Sequence, residues 1–201
     1  MFKQGQISVI DNFIDIDYQE KIKRELIGGF DSNKNYHDSD FPWFYIEDVT
    51  AAYSSTDSQK RPALVHSYVE WDGESPGIVR SEFHDLFVKL LEKAASKLGL
   101  KKIKALQGRS FLQFPLNLKN RNVDTPHIDI YSRKHIVVLY YACDSDGDTI
   151  IYNERKESET YTIKQRITPK QGRVVIFDGW LMHTAEQPIN NIRCVVNYNI
   201  E

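Results

Sequence analysis

The sequence TPHIDI at residues 125–130 opens the segment, residues 125–201, around which we interpret the rest of the chain. We interpret these six residues as part of a β-strand, and on a strand two residues that are two positions apart project to the same face. His127 and Asp129 are therefore expected side by side. An imidazole nitrogen and a carboxylate oxygen both bind divalent metal ions, so the pair predicts two ligands of one metal site.

A third ligand is expected from the histidine that ends DGWLMH at residues 178–183. After Asp129 the chain has two histidines, His135 and His183. His135 has no companion motif, and we interpret it as structural. Two imidazoles and one carboxylate form the ligand set that leaves three positions open on a non-haem Fe(II). The same set holds catalytic zinc with one open position, so zinc remains an alternative.

A second polar feature lies in RCVVNYNI at residues 193–200, ten residues beyond His183. Strand alternation places Arg193, Val195, Asn197 and Asn199 on one face, and the opposite face is almost entirely apolar. If the polar face is directed into the interior of a barrel, the buried guanidinium requires an anion. Its two-pronged geometry suits a carboxylate.

Six fragments in this order and spacing resemble the catalytic core of the Fe(II)- and 2-oxoglutarate-dependent oxygenases, in the version found in prolyl hydroxylases. Each fragment is weak alone, but their common order is specific, and the resemblance covers the last two-fifths of the chain. The fragments are HID at 127–129, VVLYYA at 137–142, DGDT at 146–149, PKQGRVVIFD at 169–178, LMH at 181–183 and IR at 192–193.

The resemblance implies roles for individual residues. His127, Asp129 and His183 match the iron ligands. In the family, 2-oxoglutarate chelates the iron through its 1-carboxylate and 2-keto oxygens, and its far carboxylate pairs with the arginine that matches Arg193. Tyr141 matches a tyrosine that donates a hydrogen bond to the same carboxylate, although a purely structural core tyrosine is the alternative. Thr149 is a weaker second donor.

The implied reaction uses Fe(II), O2 and 2-oxoglutarate, releases succinate and CO2, and hydroxylates a substrate, with ascorbate as a supporting reductant. The prolyl hydroxylase version suggests a peptidyl proline as substrate. Free amino acids, other small molecules and nucleobases remain open, because one fold supports many reactions. Two rival interpretations are a non-catalytic jelly-roll binding module and a zinc-dependent enzyme that uses the same three ligands.

Length and composition indicate one domain, since 201 residues with 41% hydrophobic and 12% aromatic content bury a single core. A net charge of -2 gives no electrostatic reason to expect binding to nucleic acid. The first residues lack the pattern of a signal peptide, and no stretch is long and apolar enough to span a membrane. We expect a cytoplasmic protein whose two cysteines, Cys143 and Cys194, are reduced. The partner is expected to be a small molecule or peptide, and nothing indicates the oligomeric state.

The order of the elements predicts a mainly β fold with flanking helices. Short strands separated by polar turns after residue 105 are typical of a sandwich or barrel, which here is a double-stranded β-helix, the cupin-like jelly roll. We expect helical support over residues 1–104 and a catalytic core over residues 105–201. The polar segments 53–62 and 117–125 are predicted to be mobile loops beside the site.

Overall fold

The computed structural model describes residues 3–30, 33–49, 60–73, 77–118 and 123–201. The helices in this part of the chain are α1 at Ile16–Ile27, a 3₁₀ helix at Glu82–Phe87 and α2 at Val88–Leu98. The strands, in chain order, are β1 Ile7–Ile10, β2 Gly29–Phe30, β3 Tyr36–His37, β4 Phe44–Ile46, β5 Ala63–Glu70, β6 Ile78–Val79, β7 Ala105–Gln113, β8 Ile136–Tyr141, β9 Thr149–Tyr152, β10 Ile163–Ile167, β11 Val174–Asp178, β12 His183–Ala185 and β13 Arg193–Ile200.

The helices begin and end at residues that suit helix termini. The Asp15 side chain accepts a hydrogen bond from the backbone N–H of Tyr18 at 3.0 Å, which satisfies one free donor at the start of α1. Gly28 ends α1 with a φ of 64°, a conformation that glycine adopts without steric cost. Ser81 caps the next helical segment through the N–H of Phe83. Its first six residues form the 3₁₀ helix, and α2 follows directly.

Eight of the described strands form one antiparallel sheet, which we call the main sheet. Its order is β1-β11-β8-β13-β7-β5-β4, and β6 pairs with β5. The central pairs are long and regular, since β13 pairs with β7 on one side and with β8 on the other over most of its length. Strands from both halves of the chain therefore build one sheet.

The two faces of the main sheet carry different contacts. On β8, Val138 and Tyr140 are directed toward α1 and α2 and belong to the larger apolar core. The alternate residues Val137, Leu139 and Tyr141 belong to a second core on the opposite face. This alternation has the period of two that a strand with two covered faces shows.

A second sheet, in the order β10-β9-β12, packs against that opposite face. Ile151 on β9 and Ile167 on β10 join the apolar cluster that contains Val137 and Phe177 of the main sheet. The two sheets thus enclose an interior, as in a barrel of two layers.

The predicted strand at residues 125–130 is not formed. An isolated bridge joins His127 to His183, and a second joins Val123 to Glu186. Pro126 explains the interruption, because it lacks the N–H that a continuous ladder requires.

Two further sequence predictions concern loops and membrane spans. Residues 53–59 and 119–122, which belong to the two predicted loops, lie outside the described residues. None of the helices in the described ranges has the length and apolar character needed to span a bilayer.

Candidate active site

Three side chains of metal-ligand type meet at one point in the interior between the sheets. One ligand atom from each of His127, Asp129 and His183 lies within 4.8 Å of the others. The Nε2 atoms of the two histidines are each 3.7 Å from a carboxylate oxygen of Asp129. The bridge that replaces the predicted strand holds the histidines together, with N–H to carbonyl distances of 2.9 and 3.0 Å. The three residues that the sequence predicts as ligands therefore converge.

Backbone carbonyls orient both imidazole rings. Nδ1 of His127 lies 3.0 Å from the carbonyl oxygen of Thr125, and Nδ1 of His183 lies 3.0 Å from that of Leu181. A carbonyl accepts, so each Nδ1 carries a proton, and Nε2 is the nitrogen that lies beside Asp129. Second hydrogen bonds of this kind are usual for histidines that bind metals, because they fix the tautomer and the ring plane.

Asp129 is held from several sides. Its side chain is 2% exposed, and Nδ2 of Asn197 donates a hydrogen bond to Oδ2 at 3.1 Å. Burial acts to raise the pKa of Asp129, but the contacts with His127 and His183 outweigh it and hold that pKa well below its usual range. The carboxylate is therefore anionic at neutral pH and available to a cation.

His135, interpreted from sequence as structural, is not part of this cluster. It is buried, its Nδ1 lies 2.9 Å from the carbonyl oxygen of Arg133, and its ring packs against Gly179. A Cβ on residue 179 would come within 2.3 Å of that ring, so glycine is required there. The contact gives His135 a packing role beside the strand that leads to His183.

Arg193 is buried at the start of β13, on the face predicted to be directed inward. Its Nε donates to the carbonyl oxygen of Gly147 at 3.0 Å, Nη1 donates to Oε1 of Gln113 at 2.8 Å, and Nη2 donates to Oγ1 of Thr149 at 2.8 Å. A guanidinium carries five N–H groups, so one on each terminal nitrogen is left over. Those two donors are the number that a bidentate carboxylate requires.

Tyr141 and Thr149 have unequal positions beside Arg193. Thr149 lines the cavity, whereas the hydroxyl of Tyr141 donates to Oγ1 of Thr149 at 2.7 Å. Burial raises the pKa of Tyr141, so its hydroxyl stays protonated and able to donate. Oγ1 of Thr149 accepts from both Tyr141 and Arg193, which leaves its own hydrogen free to donate. The structure thus puts Thr149 at the wall and Tyr141 behind it.

One cavity connects these groups. Its volume is ≈ 410 Å³, and its wall includes the three metal-ligand residues together with Arg193, Thr149 and Asn197. Most of the remaining wall is apolar and comes from the main sheet, including Leu139 and Val195. A pocket of this size and composition is typical of a small-molecule site.

Comparisons with known proteins show which fold this is. No family model matches the sequence, and no curated protein matches it. Solved structures do match over nearly the whole chain. A 2OG-Fe(II) oxygenase family oxidoreductase from Burkholderia pseudomallei has a TM-score of 0.65 at 10% identity, covering 97% of this chain and 85% of its own.

Two further matches have different recorded ligands. The viral collagen prolyl hydroxylase of Paramecium Bursaria Chlorella virus-1, a 2OG complex, has a TM-score of 0.54 at 12% identity, covering 96% of this chain and 94% of its own. HygX from Streptomyces hygroscopicus, with nickel, 2-oxoglutarate and hygromycin B bound, has a TM-score of 0.55 at 12% identity, covering 99% and 84%.

The chain has the fold of the 2-oxoglutarate- and iron(II)-dependent oxygenases. The predicted jelly roll with flanking helices is therefore confirmed. The structures that share this oxygenase fold include a prolyl hydroxylase, an epimerase and an antibiotic complex. The fold alone does not identify the substrate.

Within this oxygenase fold, a buried network that the sequence did not predict lies behind Arg193. Gln113 accepts from Arg193 and donates through Nε2 to Oδ2 of Asp124 at 3.2 Å. Arg61 lies 3.1 Å from the other oxygen of Asp124, and both side chains are almost fully buried. Burial raises the pKa of Asp124, while the hydrogen bond from Gln187 and the charge of Arg61 oppose that rise.

A signal for part of this set exists in the sequence. Gln107, Arg109 and Gln113 recur at the period of two along β7, as Arg193, Asn197 and Asn199 do along β13. Polar residues at that period in a central strand indicate an inward polar face. Arg61 and Asp124 are far apart in the chain and carry no such pattern.

Proposed function

We propose that this chain is an Fe(II)- and 2-oxoglutarate-dependent dioxygenase. The observation that carries the proposal is the arrangement of one cavity. Its wall bears two imidazoles and one carboxylate at the spacing of metal ligands, and also a buried arginine with two N–H groups that have no partner among the described residues. A metal site alone accounts for the two histidines and the aspartate. A dicarboxylate that binds the metal at one end and Arg193 at the other accounts for the arginine as well.

The three ligands fit a divalent metal. His127 and His183 each direct Nε2 toward Asp129, and Asp129 supplies the only anionic group of the set. Fe(II) held by such a set leaves positions for a cosubstrate and O2, and supplies the redox chemistry of the reaction. Nδ2 of Asn197 donates a hydrogen bond to Oδ2 of Asp129, which would hold the carboxylate in place for a metal.

The residues around Arg193 fit the far carboxylate of 2-oxoglutarate. Arg193 offers two N–H donors, and Thr149 offers one O–H donor beside them. Burial lowers the pKa of Arg193, but the group remains a cation because an arginine has an ordinary pKa above 12. Placing a carboxylate there removes an uncompensated charge from a low-dielectric interior.

We further propose that the reaction is a hydroxylation. One atom of O2 oxidises 2-oxoglutarate to succinate and CO2, and the other is inserted into a C–H bond of the substrate, which gives a hydroxyl group. The prolyl hydroxylase resemblance at HID, DGDT and LMH supports hydroxylation of a prolyl or other small-molecule substrate, with ascorbate as supporting reductant. We place this chemistry in the cytoplasm, where the buried thiols of Cys143 and Cys194 stay reduced.

Two rival functions make different predictions. A zinc-dependent enzyme does not explain the buried Arg193 and its two remaining donors, and a non-catalytic jelly-roll binding module does not explain three intact ligand residues. Purified protein supplied with Fe(II), ascorbate and O2 is expected to convert 2-oxoglutarate to succinate, slowly even without a substrate. Protein that binds Fe(II) yet forms no succinate above a metal-free control would contradict the proposal.

A further inference from the structure

A row of side chains crosses the cavity face of the main sheet beside the metal centre. The strand register pairs Ser67 with Arg109, Arg109 with Asn197, and Asn197 with Leu139. All four line the cavity. Nη2 of Arg109 lies 3.7 Å from Oδ1 of Asp129, so a permanent cation lies next to a metal ligand.

The guanidinium of Arg109 has few partners among the described residues. Its Nη2 donates to the neutral Oε1 of Gln107 at 2.8 Å, and its central carbon lies 5.3 Å from the centre of the Phe111 ring. The side chain is 24% exposed, whereas Arg61 and Arg193 are buried. Most of the five N–H groups of Arg109 therefore remain available to a ligand.

The charges at the metal and cosubstrate positions cancel once both are bound. With a divalent metal and dianionic 2-oxoglutarate bound, the charges of the metal, Asp129, the cosubstrate and Arg193 cancel. Arg61 is matched by Asp124 at 3.1 Å. Once the metal takes the charge of Asp129, Arg109 has no counter-ion in this set.

One other carboxylate on the wall lies at the far end of the cavity. Asp48 follows Ile46 by two residues, and Ile46 pairs with Ala63. Ala63 pairs in turn with Gln113, and Gln113 pairs with Arg193. Ile46 therefore lies at the same height of the sheet as Arg193, where the cosubstrate is proposed to bind. Asp48 thus lies beyond Arg193 at one end of the cavity, and Arg109 lies on the other side of Arg193.

We propose that Arg109 binds an anionic group, a carboxylate or a phosphate, on the primary substrate. The inference rests on the proposed function, because it takes the metal and 2-oxoglutarate as bound. A cation on a partly desolvated wall stabilises an anionic ligand and gives no such stabilisation to its neutral analogue. The ring of Phe111 beside it offers apolar contact to the rest of the substrate. The 1-carboxylate of 2-oxoglutarate is also an anionic group that Arg109 could bind. The experiment distinguishes binding of this carboxylate from binding of an anionic group on the substrate.

The first arm measures cosubstrate affinity. Fe(II)-loaded protein is titrated anaerobically with 2-oxoglutarate by calorimetry, for the parent, Arg109→Met and Arg109→Lys. We expect the three dissociation constants to agree within about twofold, which corresponds to less than about 0.5 kcal/mol. If Arg109 instead binds the 1-carboxylate, Arg109→Met weakens 2-oxoglutarate by at least about tenfold.

The second arm measures the response to anions. Inorganic phosphate is titrated into the anaerobic Fe(II) and 2-oxoglutarate complex, and we expect at least about tenfold weaker binding in Arg109→Met. In turnover, a panel of carboxylic acids and phosphate esters, each with its matched amide or alcohol, is tested for stimulation of succinate release. Only anionic members are expected to stimulate the parent. Arg109→Met is expected to lose the response, and Arg109→Lys to keep part of it.

The matched control is Arg80→Met, since Arg80 is a surface residue that pairs with Glu70 outside the cavity. It is expected to respond as the parent does. The inference is overturned if neutral members stimulate equally, if no anion stimulates or binds, or if Arg109→Met responds like the parent. A parent that releases succinate without substrate but shows these outcomes leaves the proposed function intact. A parent that forms no succinate at all overturns the proposed function itself.

Discussion

The two histidines proposed as metal ligands owe their orientation to the same kind of local hydrogen bond. In each, Nδ1 contacts the carbonyl oxygen two residues earlier, at Thr125 for His127 and at Leu181 for His183. His135 makes the same bond, to Arg133. The local sequence therefore does not distinguish a ligand from a structural histidine. The difference is where each Nε2 is directed, and that depends on the packing of the whole barrel.

Asp129→Ala tests the ligand set at the scale of one residue. It removes the only anionic ligand and leaves two neutral imidazoles to hold a dication, so Fe(II) affinity is expected to fall at least about tenfold. Anaerobic calorimetry with Fe(II) measures the change. His135→Ala is the matched control and is expected to keep its metal, because His135 lies outside the cluster. Unchanged affinity in Asp129→Ala, or a loss in His135→Ala, would show that the wrong residues are assigned.

His135 also predicts a pH dependence of stability. Burial lowers its pKa in the folded protein, and the hydrogen bond to the carbonyl of Arg133 only partly opposes this. In the unfolded chain, His135 has an ordinary pKa of about 6.5, which is higher than its pKa in the folded protein. Between these two pKa values the unfolded state binds more protons than the folded state. The free energy of unfolding therefore falls as the pH drops below about 6.5. The half-buried His84 shifts in the same direction through burial.

Urea unfolding at a series of pH values from 5 to 8 measures how the free energy of unfolding changes with pH. His135→Asn removes one of the two histidines whose pKa is lowered by burial, and it is expected to reduce the loss of stability below about pH 6.5. The double variant with His84→Asn is expected to reduce it further. A slope that is the same in the parent and in both variants would show that these histidines are not buried in their neutral form.

At the scale of elements, sequence patterns predicted the regular strands well and the irregular ones poorly. The β-branched run of β8 and the alternation in β13 formed strands whose faces agree with the structure. The stretch at residues 125–130 formed a bridge, because Pro126 interrupts the ladder. His127 and Asp129 still converge, since the bridge to His183 replaces the missing strand.

The turn between β8 and β9 gives a prediction at this scale. The carbonyl of Gly147 accepts from Nε of Arg193. A Cβ on residue 147 would lie 2.7 Å from the backbone oxygen of Glu186 and 3.1 Å from Cδ of Arg193, so the turn has to move. Gly147→Ala is expected to weaken 2-oxoglutarate binding by about tenfold, a loss of about 1.4 kcal/mol, with little change in Fe(II) affinity.

Gly99→Ala is the control for this variant. Gly99 ends α2 with a φ of 67°, and a Cβ there meets no atom within 4 Å. The substitution is expected to destabilise the fold by about 1 kcal/mol through backbone strain alone, without an effect on 2-oxoglutarate. Equal losses of 2-oxoglutarate affinity in both variants would mean that general destabilisation, rather than displacement of Arg193, is responsible.

At the scale of the whole molecule, the cavity is built by parts of the chain that no local pattern connects. Val65 and Ser67 reach its wall from β5, on the side of the main sheet away from β8. Arg61 meets Asp124 only because β5 pairs with β7 and residue 124 lies beside β12. Motifs therefore pointed to the three candidate metal ligands and to Arg193, which meet at one cavity, whereas the buried pair of Arg61 and Asp124 depends on long-range contacts.

The most direct test of a joint metal and 2-oxoglutarate site is an anaerobic titration of Fe(II)-loaded protein with 2-oxoglutarate, comparing the parent with Arg193→Met. Truncating one member of a buried ion pair costs roughly 2 to 5 kcal/mol. The dissociation constant is therefore expected to rise by at least about thirtyfold. Fe(II) affinity is expected to stay unchanged, and Arg193→Lys, which keeps the charge but loses the two-pronged geometry, is expected to fall between the two. Superimposable curves for the parent and Arg193→Met would contradict the assignment of Arg193 and with it the choice of an oxygenase.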